Sequence, residues 1–246
     1  LTHMGKLPTD DLSAKDTDNP KSVTTPIAAE TLSPSAQLIM MPVPQWEFSE
    51  SEGLVKLWLA ATDLPSPSSL CPPPAITRLS CGVGSATVWN ELASLNRPVL
   101  LETVTQNKFF ASVLVFQIDG SDAVVWTDQG LQWVALADIA GAWTGTYRFF
   151  WQAPAGWEGA LSLGDSGVVV TQVAQMFATL DGMELKEVTE FGPALETRIR
   201  LFQQAEGLPI DGAMNQLTLL RLNERLGIGL TVSRALKRAQ NWQDAR

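Results

Sequence analysis

The spacing of the apolar residues changes once along the chain, at Pro154-Ala155-Gly156. Before this point, short runs of aliphatic, β-branched and aromatic residues predict strands. These runs are Val99–Val104, Phe109–Ile118, Ala123–Thr127, Leu131–Leu136 and Thr146–Trp151. Asp119-Gly120 and Gln129-Gly130 separate neighbouring runs as turns, which indicates successive hairpins. The sequence therefore predicts a twisted antiparallel sheet, with an earlier helix over Glu52–Ala61 packed on it.

After the change of spacing, the apolar residues follow a helical period. Val169, Val173 and Phe177 share one face of a first helix. A second helix begins at Pro193 and ends near Gly207, and a third runs from Asn215 to Gly227. These three helices predict a small domain over 160–228, of a size that folds alone. The fold class is thus α+β. The segment 229–246, with four basic residues and one acidic residue, predicts a solvated terminal helix or a frayed tail.

The first part of the chain has a different composition. Residues 1–38 are rich in Thr, Ser, Asp, Pro and Lys without an apolar period, so we interpret them as a tag followed by a flexible linker. Leu1–Lys6 is typical of an expression-vector remnant and contains His3. The sheet-forming domain is predicted over 39–157. No signal peptide is visible, so we expect a piece of a longer exported or membrane-anchored protein.

Charge and residue content exclude several classes of function. Seventeen basic and 26 acidic residues give a net charge of −9, which argues against nucleic-acid binding. His3 is the only histidine, so outside the predicted tag no histidine is available for a catalytic triad or a zinc site. Two cysteines cannot form a four-thiolate site. We expect no metal, no cofactor and no contact of this segment with a membrane.

The two cysteines, Cys71 and Cys81, are ten residues apart. Pro72-Pro73-Pro74 follows the first and Gly82 the second, and such a turn-rich segment brings two Cα atoms within disulfide distance. The spacing predicts a disulfide, which indicates an oxidising compartment and adds about 2–3 kcal/mol of stability. The alternative is a reactive thiol, although no histidine is at hand to lower its pKa.

One segment of the helical part carries a recognisable motif. It contains, in order, Phe202-Gln203, Gly207-Leu208, Asp211-Gly212 and Asn215-x-x-Thr218. This order resembles the three-helix peptidoglycan-binding domain of bacterial wall enzymes, with Asn215 where that family usually has glycine. The resemblance implies binding of wall peptides at an edge formed by Phe202, Gln203, Asp211, Gly212, Asn215 and Thr218. The alternative is that these residues serve only as helix caps and turns.

The sheet-forming part carries a second resemblance. Its motifs are Cys71-x-x-x-Ala75, Leu79-Ser80-Cys81, Leu95-Asn96-Arg97-Pro98, Trp143-Thr144-Gly145-Thr146-Tyr147 and Trp151-x-x-Pro154. Together with the helical domain, they resemble the periplasmic regions of the general secretion pathway A proteins, which are assembly factors of type II secretion systems. The resemblance covers roughly 45–228. It implies a fold similar to a family-C39 cysteine peptidase, followed by a peptidoglycan-binding domain.

The residues argue against peptidase activity. Such an enzyme needs a thiolate at the start of a helix and a histidine on a strand as base. The strand expected to carry the base, Phe109–Phe116, has no histidine, and both cysteines are committed to each other in the predicted disulfide. We therefore expect no enzyme but an interaction module on a peptidase-like fold.

The resemblance also implies a cellular role. It places this part of the protein in the periplasm, attached to an inner-membrane anchor, where it would help the secretin cross the wall. The implied partners are peptidoglycan, the B protein of the same pathway and the secretin, with a homo-oligomer on the wall as a further expectation. Two other functions stay open: a wall hydrolase targeted by the helical domain, and a scaffold that binds only protein.

Overall fold

The computed structural model describes residues 44–66, 68–71, 78–184 and 188–244. The predicted tag and linker over 1–38, and the first residues of the predicted sheet domain, lie outside these ranges. The helices are α1 Glu50–Ala61, α2 Trp89–Ser94, α3 Leu136–Ala140, α4 Val168–Asp181, α5 Pro193–Ala205, α6 Gln216–Arg225 and α7 Val232–Asp244. The strands are β1 Ser80–Ser85, β2 Val99–Val104, β3 Phe110–Asp119, β4 Asp122–Thr127, β5 Gly130–Ala135 and β6 Trp143–Trp151. In the described part, no helix is long and apolar enough to cross a membrane.

The six strands form one sheet in the order β1-β6-β2-β3-β4-β5, and every neighbouring pair is antiparallel. The predicted antiparallel sheet and the predicted α+β class are therefore confirmed. The sequence prediction missed β1, because Ser80–Ser85 is a glycine-rich segment without a β-branched run. It also extended β5 by one residue: Leu136 begins α3 instead, and its side chain is buried.

Helix α1 covers one face of the sheet. Its start is fixed by a capping box, in which the Ser49 side chain accepts from the backbone of Glu52 and the Glu52 side chain accepts from the backbone of Ser49. Leu57 and Trp58 are buried on the sheet side. The ring of Trp58 meets Phe150 of β6 edge-on, with centroids 5.7 Å apart. This packing holds α1 against the sheet.

The three predicted helices of the second part are present as α4, α5 and α6. Helix α4 ends at Gly182, whose φ of 65° gives the left-handed cap that glycine accepts without strain. Pro193 occupies the first position of α5, and the Asn215 side chain caps α6 by accepting from the backbone of Thr218. The caps at the starts of α5 and α6 stand where the sequence predicts them.

Helix α7 corrects the prediction of a solvated terminal helix or frayed tail for 229–246. Ala235 and Ala239 are fully buried, in one apolar cluster with Leu57 and Trp58 of α1. The Arg238 guanidinium donates to both carboxylate oxygens of Asp63 and to the carbonyl of Ala61, just after α1. The prediction of a solvated segment rested on its basic residues and did not take the alanines into account. Small residues four apart allow a helix to lie close against a sheet.

The helical segment α4–α6 contacts the sheet side of the molecule through polar and apolar groups. The Asn223 side chain donates to the carbonyl of Gln152 at 2.8 Å, and Arg97 pairs with Glu224 at 3.3 Å. One apolar cluster runs from the sheet into the three helices. The described residues, 44–66, 68–71, 78–184 and 188–244, belong to a single compact unit. The division into domains at 39–157 and 160–228 stays a prediction.

Candidate functional site

The structure brings the six predicted binding residues together where the loop after α5 leads into α6. Gln203 lies at the centre and is completely buried. Its Nε2 donates to Asp211 Oδ1 at 2.7 Å, to the Ala213 carbonyl at 3.0 Å and to Thr218 Oγ1 at 3.1 Å. Its Oε1 accepts from the backbone N–H of Gly212 at 2.9 Å. One side chain thus ties helix α5 to both the turn and the start of α6.

Asp211 lies at the surface of this network. Its Oδ1 accepts from the backbone of Ala213 as well as from Gln203, and its Oδ2 accepts from Asn215 Nδ2 at 3.3 Å. Partial burial of the Asp211 carboxyl acts to raise its pKa, but these hydrogen bonds outweigh burial and hold the pKa below its usual value. The carboxylate is therefore charged near neutral pH and already serves as an acceptor inside the turn.

Gly212 has a backbone conformation and a position that other residues cannot adopt easily. Its φ is 76°, in the left-handed region. A Cβ at this position would lie 2.7 Å from Arg200 Nε and 2.9 Å from Glu196 Cγ. Arg200 in turn donates to the carbonyl of Ile210 and pairs with Glu196 at 2.8 Å. Sequence analysis missed Arg200, although its spacing of four residues from Glu196 on a helix indicates such a pair.

Burial divides the six predicted residues into two groups. Phe202, Gln203, Gly212 and Thr218 are buried, and Phe202 packs edge-on against Phe177 with centroids 5.5 Å apart. Asp211 is exposed and Asn215 is half-buried. The first group builds the turn from inside. Solvent reaches Asp211, Asn215 and the first residue of α6, Gln216, whose N–H has no acceptor within its own helix.

The first turn of α1 meets strand β3, the strand for which the sequence comparison with a peptidase-like fold predicts a base. Ser112 of β3 is buried and its Oγ donates to the carbonyls of Phe48 and Ser49. A Cβ on Gly53 of α1 would collide with that Oγ. This junction is closely packed around glycine and serine. It offers neither a thiol nor an imidazole among the residues that form it.

Cys71 and Cys81 form a disulfide, with their Cα atoms 5.6 Å apart. Cys81 lies in β1, at the edge of the sheet, and the intervening residues 72–77, including the three prolines, lie outside the described residues. A bonded sulfur is no nucleophile, so the alternative of a reactive thiol does not hold while this bond is intact.

Comparison with known proteins agrees with this architecture. Residues 166–222 match the family model described as "Putative peptidoglycan binding domain". General secretion pathway protein A of Aeromonas hydrophila is 27% identical over 187 residues, which cover 73% of this chain and 32% of that protein. The predicted resemblance is confirmed. This chain spans about a third of the length of that A protein.

A solved structure shares the fold. It is the crystal structure of a periplasmic domain of the EpsAB fusion protein of the Vibrio vulnificus type II secretion system. The two chains are 23% identical and superpose with a TM-score of 0.50, over 78% of this chain and 84% of the other. At this identity the comparison supports a common fold, and the superposed 78% of this chain is large enough to include parts of both the sheet and the helical segment.

Proposed function

We propose that this chain is a non-catalytic, peptidoglycan-binding module of a type II secretion assembly factor, acting in the periplasm. The observation that carries the proposal is the match of 166–222 to the peptidoglycan-binding family, on a chain similar to general secretion pathway protein A. In this role the module holds the assembly factor at the wall while the secretin is brought through it. Its partners are peptidoglycan, the B protein of the pathway and the secretin, and copies of the module associate on the wall.

The proposed contact is the solvent-accessible rim of the turn between α5 and α6. Wall peptides carry carboxylates, and the start of α6 presents N–H groups and the positive end of its helix dipole. The Asn215 side chain accepts a hydrogen bond from the N–H of Thr218. The N–H of Gln216 is left for a ligand. Asp211 already accepts three hydrogen bonds from within the turn, which favours a positioning role for its carboxylate over direct ligand contact.

The proposal includes a peptidase-like sheet domain of the C39 type that has lost its chemistry. Three features support the loss: β3 contains no histidine, its Ser112 is packed so closely against Gly53 of α1 that no side chain fits at position 53, and both cysteines are bonded. A wall hydrolase would need a nucleophile and a base within hydrogen-bond reach of each other. The assay is cleavage of muropeptides by the pure protein. Turnover that survives extensive purification would favour the hydrolase.

Co-sedimentation of the whole chain with purified sacculi tests the proposed contact. Gln216→Glu puts a negative charge at the first position of α6, where it stabilises the helix but opposes an incoming carboxylate. We expect this variant to lose most of its binding, and the neutral control Gln216→Met to bind like the wild type. A wild-type protein that stays in the supernatant would instead favour a purely protein-binding scaffold. If both variants bind sacculi equally well, the start of α6 does not form the contact.

A further inference from the structure

Strand β5 forms an open edge of the sheet. It pairs with β4 on one side and is the last strand in the sheet order. The N–H of Leu136 donates to the carbonyl of Ser121, which fixes the alternation of hydrogen bonds along the β4–β5 pair. Leu131, Trp133 and Ala135 therefore direct their backbone N–H and C=O groups away from β4. None of these groups has a hydrogen-bond partner among the described residues.

This edge lacks the features that natural proteins use to prevent strand pairing. Gly130–Ala135 contains no charged residue and no proline, and its register with β4 runs from end to end without a shift. At the centre of the strand, the Trp133 side chain is 58% exposed. Exposed tryptophan is typical of the residues that anchor protein interfaces. Trp133 thus offers both backbone hydrogen bonds and an apolar surface to an added strand.

Carboxylates flank the edge at both ends. Asp128 precedes β5 and Asp138 follows it, in the first turn of α3, and both residues are exposed. Neither carboxylate has an ion-pair partner within the described part of the chain. The sequence from Phe109 to Tyr147 contains no lysine or arginine. Strands β3, β4 and β5 and helix α3 therefore bring only negative charge to this side of the sheet.

The basic residues of the two neighbouring helices are engaged or directed elsewhere. Lys56 of α1 lies over an aromatic ring, 4.5 Å from its centre. Arg234 and Arg238 of α7 donate to a backbone carbonyl and to a carboxylate. Lys237 lies on the side of α7 opposite its two buried alanines. The edge therefore keeps its negative potential, which favours a positively charged partner over a second copy of this chain, whose net charge is −9.

We propose that the edge of β5 takes up an extended, basic segment of another protein as an added strand. The segment exchanges backbone hydrogen bonds with Leu131, Trp133 and Ala135, and one of its apolar side chains packs on the Trp133 ring. Lysine or arginine side chains near its two ends meet Asp128 and Asp138. The site is separate from the residues that match the peptidoglycan-binding family, and it does not rest on their binding to the wall.

NMR titration of the whole chain with the peptide N-acetyl-Lys-Val-Thr-Val-Thr-Val-Lys-amide tests the proposal. We expect the amide signals of Leu131, Trp133 and Ala135 to shift at about 1 mM peptide, because so small an interface binds weakly. A peptide with glutamate in place of both lysines should bind about tenfold more weakly, and this difference should shrink as the salt concentration rises. Equal affinity of the two peptides, or no shift at β5, would overturn the proposal.

Two N-methylated forms of the lysine peptide distinguish strand pairing from a simple apolar contact. One form is methylated at the backbone nitrogens of its valines and the other at those of its threonines. Successive N–H groups of a strand point to opposite edges, so each form loses the donors of one edge only. One form should bind like the parent peptide and the other about tenfold more weakly. If both forms bind alike, the peptide is not held as a strand.

A matched pair of variants locates the peptide at this edge. Trp133→Pro removes an N–H that points away from β4, a position where an edge strand tolerates proline. Trp133→Thr removes the ring as well but keeps that N–H. The threonine variant should bind the lysine peptide more weakly than the wild type, and the proline variant about tenfold more weakly again. If the two variants bind alike, the backbone of β5 is not the contact.

A second variant leaves the strand itself untouched. Asp128→Asn combined with Asp138→Asn should abolish the preference for the lysine peptide over the glutamate peptide, and an unchanged preference would contradict the proposed charge contact. Sedimentation of the free wild type tests the other occupant of the edge. Self-association that Trp133→Pro abolishes would identify a second copy of the chain at β5 and would likewise overturn the proposal.

Discussion

Replacement of Gln203 by leucine should destabilise the helical segment strongly. Leucine is similar in size, so the change leaves little cavity and removes mainly hydrogen bonds. The buried N–H of Gly212 loses its acceptor, which costs about 1–3 kcal/mol. Asp211 keeps its bond from Ala213, and Thr218 keeps its bond to Asn215. The loss of the three hydrogen bonds that Gln203 donates, to Asp211, Thr218 and the Ala213 carbonyl, adds about 1–2 kcal/mol.

The expected total is thus about 3 kcal/mol, a large part of the stability of an ordinary domain. Urea unfolding followed by circular dichroism measures it, because residues 160–228 contain no tryptophan to report by fluorescence. Gln204→Leu, at an exposed position on the same helix, is the matched control and should change stability by less than about 0.5 kcal/mol. If Gln203→Leu unfolds within 0.5 kcal/mol of that control, the buried network contributes little and the reasoning fails.

Four further outcomes are expected. Folding lowers the pKa of Asp211, so its carboxylate adds fully to the free energy of unfolding above about pH 4, and this stabilisation is lost as the pH falls through the folded pKa. In urea titrations at successively lower pH, the stabilities of the wild type and of Asp211→Asn should therefore converge. Asn215→Ala should cost about 1 kcal/mol in urea unfolding through loss of the α6 cap, and a cost near zero would assign capping to other groups. Glu224→Ala should cost at least about 3 kcal/mol, because buried Arg97 loses its counter-charge. Arg225→Ala, which breaks a pair whose arginine is solvent-exposed, should cost less than the Glu224 variant, about 1 kcal/mol by the same measurement.

The central strands and the caps could be predicted because they depend on local sequence. Val99–Val104 matches β2 residue for residue, and the helix starts at Pro193 and after Asn215 follow from the chemistry of single residues. Strand β1 could not be predicted in this way. Ser80–Ser85 has weak strand propensity and is held by pairing with β6, a partner more than 60 residues away in the chain.

The candidate site was predictable in position but not in the roles of its residues. Motif order placed Phe202, Gln203, Asp211 and Gly212 close together. It could not separate side chains that face inward from those that face solvent, because the residues of a turn, unlike those of a helix or strand, do not alternate between the two sides in a regular pattern. Gln203 is polar, which favours a surface position, yet it is fully buried because four hydrogen-bond partners meet it inside.

The return of α7 to α1 determines how tension would pass through the molecule. Helix α1 precedes the sheet and α7 follows the helical segment, yet the two lie in contact and are linked by Arg238 and Asp63. A pulling force applied to the chain before α1 and after α7 would therefore be borne first by α7, α1 and the sheet beneath them. Helices α4, α5 and α6 lie on the stretch between and would carry no load until α7 detached. A segment that grips a rigid partner could in this way keep its folded turn while the rest of the protein is strained.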